Sequence, residues 1–107
     1  MAYKTHDIVK YSYNFDARAG GAGVLQLFST TAEVVRINFV DDTATVPPPA
    51  LAVDLNSGTA YFKRSALAGL IDMLRNEKPV TVTINNQAPG FLFIGTGGWE
   101  AVGEGES

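Results

Sequence analysis

Cysteine is absent from the chain, which excludes a disulfide scaffold, thiolate zinc sites and cysteine nucleophiles. That absence also fits a reducing compartment, and a cytoplasmic location is expected. Histidine occurs once, so a multi-histidine metal cluster or relay is excluded. No apolar run approaches the ~20 residues of a membrane-spanning helix, and Met1-Ala-Tyr-Lys-Thr-His-Asp7 lacks the apolar core of a signal peptide. No membrane partner is therefore expected. Cations are scarce as well. Eight Lys and Arg stand against 11 Asp and Glu, for a net charge of −3. With no basic cluster, this balance argues against broad electrostatic binding to nucleic acid or anionic lipid.

What is present is enough for one soluble domain. The 107 residues are 46% hydrophobic, sufficient to bury a real core. The one convincing helix runs from Ser65 to Asn76. Leu67, Leu70, Ile71 and Leu74 fall at i, i+3, i+4 and i+7, one apolar stripe. Ser65 is placed to act as the N-cap, and Arg75 and Lys78 suit the negative end of the helix dipole. Asn76 is expected to take the left-handed C-terminal conformation ahead of Pro79. Gly69 weakens the helix by about 1 kcal/mol relative to alanine, so it depends on packing against a sheet.

The rest of the chain is strand and turn. Asp7 to Phe15 alternates as one half-buried strand, with Val9, Tyr11, Tyr13 and Phe15 on one side and Ile8, Lys10, Ser12 and Asn14 on the other. Strands follow at 24–28, 33–40, 51–55, 59–63, 80–84 and 91–94, with a short last one expected at 99–102. The first three form an antiparallel meander. Asn56-Ser-Gly58 signals a hairpin turn with Gly58 at positive φ. Phe91-Leu-Phe-Ile94 is apolar on both faces, which suggests a central strand or one covered by a partner.

The expected fold class is α+β: a curved, mostly antiparallel sheet of about six or seven strands packed on one helix over 65–76. Residues 1–102 make a single domain and 103–107 a flexible acidic tail. One short helix cannot cover every apolar strand face. The sheet must curl into a partial barrel or be covered by a second copy, so a homodimer is expected.

Leu74-Arg-Asn-Glu-Lys-Pro-Val80, Gly95-Thr-Gly97 and Val102-Gly-Glu-Gly-Glu106 resemble a family of short, functionally uncharacterised bacterial proteins. Its members carry a helix closing on an "LRNEKPV" phrase and end on a "PVGEGE"-like tail. The resemblance covers roughly the C-terminal half. Ala101 stands where proline is the family residue, and Val80-Thr-Val-Thr83 replaces a more aromatic strand. It implies a bacterial source and carries over no functional residues.

Candidate chemistry is thin. Arg18-Ala-Gly-Gly-Ala-Gly23 lacks the lysine and following helix of a phosphate loop and reads as a mobile hairpin loop. His6 has no positioned partner and reads as a solvated N-terminal histidine. Asp41 and Asp42, even with Glu33, lack calcium-loop spacing and read as turn residues bonding local N–H groups. Pro47-Pro-Pro49 reads as a rigid spacer. Ser12, Ser29, Ser57 and Ser65 sit in no nucleophile-elbow context. No catalytic, cofactor-binding or metal-binding residue is assigned, no cofactor is expected, and the chain reads as non-enzymatic.

Aromatics offer the better lead. Tyr11 and Tyr13 on one strand, with Lys10, Arg36 and Trp99, form the candidate interaction surface. The leading expectation is a homodimeric domain that binds another protein through its sheet surface or edges. A single-stranded nucleic-acid platform, with bases stacked on the tyrosines, is the alternative. A small-ligand site between helix and sheet is the third.

Overall fold

The structure, a computed structural model, describes residues 3–15, 23–87 and 90–96. It is α+β, the described residues forming eight strands in two sheets and one α-helix. The strands are β1 (Tyr3–Ile8), β2 (Lys10–Phe15), β3 (Gly23–Phe28), β4 (Glu33–Val40), β5 (Ala50–Leu51), β6 (Gly58–Lys63), β7 (Val80–Asn85) and β8 (Phe91–Gly95). A 3-10 turn at Arg64–Ala66 leads into the helix α1 (Leu67–Asn76). The order is β2-β3-β4-β6-β5 in the larger sheet and β1-β7-β8 in the smaller.

The single strand expected over 7–15 is divided between the sheets. Alternation through this run is unbroken in the sequence, but its inward parity changes at Val9. Ile8 lies on the face shared with Val80, and His6 on the face shared with Val82. Beyond the break, Tyr11 and Tyr13 face inward beside Leu27 and Leu25. Val9 stands at the corner, 56% exposed, and its N–H still donates to the Phe28 carbonyl at 2.9 Å. The extra residue bends the chain as a bulge does, so one near-continuous segment serves both sheets.

The larger sheet begins as the antiparallel meander β2-β3-β4. It then departs from expectation, because β4 and β6 pair in parallel, Val35 opposite Gly58 through Val40 opposite Lys63. A parallel pair needs a long crossover, and residues 41–57 supply it. Part of that crossover returns as β5, which pairs antiparallel with β6.

The strand expected at 51–55 stops at Leu51 because the chain folds into a compact turn. Ala52 N–H donates to Ser57 O and Leu55 N–H to Ala52 O, both at 3.0 Å. Val53 is consequently 92% exposed while Leu55 is buried. The positive φ falls at Leu55 (64°), not at Gly58. Gly58 instead sits at a close approach. A Cβ there would lie 3.1 Å from the Leu92 side chain, where β8 crosses the hairpin.

The two inner faces enclose one core. Leu25, Leu27, Val35, Ile37, Val82 and Ile84 are fully buried at its centre. Burying each such side chain stabilises the fold by about 1.5–3 kcal/mol relative to exposure. The helix adds buried Leu70, with Leu67, Ile71 and Leu74 packed alongside, as the apolar stripe requires.

Its caps differ from those expected. Ala66 occupies the N-cap position with no side-chain bond, while Asp42 accepts from the Ser65 N–H at 2.9 Å, across the crossover. At the other end Asn76 stays helical, its side-chain amide donating to Asp72 at 2.8 Å, and the chain leaves in extended form at Glu77. The expected strand at 99–102, the tail 103–107 and the Arg18–Ala22 part of the glycine loop lie outside the described residues.

Candidate functional site

The outer faces of the two sheets differ in chemistry. On the larger sheet, outward positions carry Ser12, Asn14, Gln26, Arg36, Asn38 and Thr59. They are linked side by side. Ser12 Oγ donates to Gln26 at 3.3 Å, Gln26 donates to Glu33 at 2.9 Å, and Arg36 Nε reaches the same carboxylate at 3.4 Å. At the edge the Lys10 ammonium lies 5.5 Å from the Phe28 ring centroid, within range of a cation–π contact. The face is largely polar, with Val24, Phe28, Val40 and Tyr61 set among these groups.

The smaller sheet presents another surface. Its outward rows are Tyr3–Asn85–Phe91, Thr5–Thr83–Phe93 and Asp7–Thr81–Gly95. The Thr5 and Thr83 hydroxyls meet at 3.0 Å. Phe91 and Phe93 stack on one another, centroids 4.4 Å apart and planes 28° from parallel. Phe93 is 64% exposed and Tyr3 49%. Among the described residues β8 pairs with β7 alone, which puts it at the edge of the described sheet; its composition suggested a central strand or one covered by a partner. Natural edge strands are usually shielded by charge, proline or a bulge. Phe91-Leu-Phe-Ile-Gly95 has none of these.

A second feature is a cleft of about 800 Å³ where the helix C-terminus meets the corner at Val9. Ile8, Tyr11, Leu74 and Val80 form its apolar wall, and Glu77 and Lys78 bring charge to it. The volume lies within the usual range for small-molecule sites.

The residues singled out from sequence are separated by the fold. Tyr11 and Tyr13 are half-buried and pack against the core. Tyr13 meets Phe39 edge-on at 6.2 Å and lies across Gly23, where a side chain would clash with its ring. Lys10 and Arg36 project from the opposite, outer face of the same sheet. Trp99 lies outside the described residues. Phe93 was not among the candidates, although the two-sided apolar pattern of its strand was the available signal.

The polar candidates are held in structural bonds. His6 is half-buried, not solvated, and its Nε2 lies 2.8 Å from the Leu55 carbonyl. Since a carbonyl only accepts, Nε2 carries the proton. Asp41 takes the Thr43 N–H and hydroxyl, each at 3.1 Å. The backbone bond to Thr43, more than any other influence, lowers the Asp41 pKa from the ordinary carboxylate value. Asp54 is lowered in the same way, chiefly by the Asn56 N–H, 3.0 Å from its carboxylate. Among the described residues, no group of three or more His, Cys, Asp or Glu is arranged to hold a metal ion. No described helix is long and apolar enough to cross a membrane.

Comparison of the chain with protein families, curated proteins and solved structures returns no match.

Proposed function

We propose that this domain is a non-enzymatic protein-binding module that engages its partner through the outer face and free edge of the three-stranded sheet. The observation that carries the reading is the exposure of Phe93, stacked on Phe91, on a strand that stands at the edge of the sheet among the described residues. An edge of this kind offers a row of backbone donors and acceptors to an incoming strand, and the rings add apolar area beside it. The polar outer face of the larger sheet provides the contrast within the same molecule.

The test places the photo-cross-linker p-benzoylphenylalanine at position 93 in the producing cell, with position 61 on the larger sheet as control. Discrete protein adducts at 93 and none at 61 are expected. No adduct at 93 overturns the reading.

The cleft favours a second reading, a small-ligand site between helix and sheet. A metabolite binding there raises the melting temperature in proportion to the logarithm of its concentration. Leu74→Trp, which fills the apolar wall, abolishes that rise if the cleft is the site. Persistence of the rise in Leu74→Trp would remove the cleft from consideration.

A further inference from the structure

We infer that the partner at the three-stranded sheet is a second copy of this chain, joined β8 to β8 antiparallel about a two-fold axis at Phe93. The inference rests on the protein-binding reading above and names its occupant.

A two-fold interface has to be complementary to itself: whatever residue i meets, its symmetry mate must meet in return. The strand Phe91-Leu-Phe-Ile-Gly95 satisfies this in three ways. First, it carries no charge, so antiparallel self-pairing sets no like charges opposite one another in a chain of net charge −3. Second, a two-fold at the middle residue pairs Leu92 with Ile94 of the second copy, extending the inward apolar row, and pairs Phe93 with itself. Third, it sets Phe91 opposite Gly95 of the second copy on the outer face.

That last pairing has a geometric basis. No atom of the described residues lies within 4 Å of the position a Gly95 side chain would occupy. An aromatic ring laid over a strand glycine is a stabilising arrangement in sheets. The protein already uses it internally, Tyr13 across Gly23. In the dimer the stacked rings of Phe91 and Phe93 from each copy form one four-ring ladder over the joined edges, and two three-stranded sheets become one of six strands.

The absence of cysteine makes the register directly testable. Residues directly opposite in an antiparallel pair have Cα atoms about 4.5–5.5 Å apart, within disulfide reach. Phe93→Cys is therefore expected to give a disulfide-linked dimer on mild oxidation. Phe91→Cys or Gly95→Cys alone gives none, because each meets the other's position, roughly 13 Å from its own symmetry mate along the strand. A mixture of those two variants cross-links. As a second variant, Gly95→Lys meets none of the described residues of its own chain but blocks the place of the Phe91 ring. It is expected to keep the circular dichroism of the parent while weakening association about tenfold or more by light scattering.

A dimer in which Phe93→Cys fails to link, or Phe91→Cys links to itself, overturns the two-fold at Phe93. A protein that stays monomeric at all concentrations overturns self-pairing. In that case, photo-adducts at 93 with other proteins would leave the binding surface standing with a different occupant, and a complete lack of adducts would remove both.

Discussion

At the scale of single residues, the turn at Leu55 shows what a few contacts can hold in place. A leucine at φ 64° occupies a region that L-residues enter at a cost of about 1–2 kcal/mol. Burial of its side chain offsets that cost, and His6 anchors its carbonyl. His6→Ala leaves that carbonyl without the imidazole donor and is expected to lower unfolding stability by about 1 kcal/mol in urea titrations. His6→Gln, which keeps an N–H donor, should recover part of the loss. The aspartate turns respond to acid. Asp41 and Asp54 have folded-state pKa values below the unfolded carboxylate value, so their contribution is present above that value and lost as pH falls through the lowered one. Amide exchange at Thr43 and Asn56 should therefore accelerate, relative to the intrinsic rate, only in that acid range.

At the scale of elements, the helix has one weak position and one borrowed support. Gly69 is exposed, and a methyl group there would meet none of the described residues within 4 Å. Gly69→Ala should stabilise the protein by about 0.5–1 kcal/mol in thermal or urea unfolding. Asp42→Ala removes the carboxylate that receives the Ser65 N–H and should cost about 1 kcal/mol, whereas Ser65→Ala should be close to neutral. This pair of variants also marks what was legible beforehand. The apolar stripe of α1 and the alternation of β3, β4, β6 and β7 state their own periods in the residues, and those elements lie where the pattern puts them. The cap does not, because its donor and acceptor are 23 positions apart in sequence. Nor does the change of sheet at Val9, since alternation on either side of it is perfect and only the partners differ. The same holds for the parallel pairing of β6 with β4. At the surface, Tyr11 and Tyr13 were recognisable as one face of a strand, but the face of a strand that becomes core is decided by what covers it. Phe93 is the converse case, a ring in an apolar run that the order of the described strands leaves at an edge.

At the scale of the whole molecule, a joint made through β8 would carry a distinct thermodynamic signature. Its strands are uncharged, so the dimer mass should change little between low and high salt, where a charge-mediated assembly would dissociate. Its melting temperature should rise with protein concentration, because association stabilises the folded chain by mass action. Light scattering across a salt series and calorimetry across a dilution series check both, and a mass that falls steeply with salt would contradict the uncharged joint. The division of one strand between two sheets has a further consequence, in time rather than in space. All five described strands of the larger sheet precede residue 64, but among the described residues β1 pairs with β7 alone, whose last residue is 85. Of the described strands β1 is thus synthesised first, yet it has to wait for β7 before it can pair.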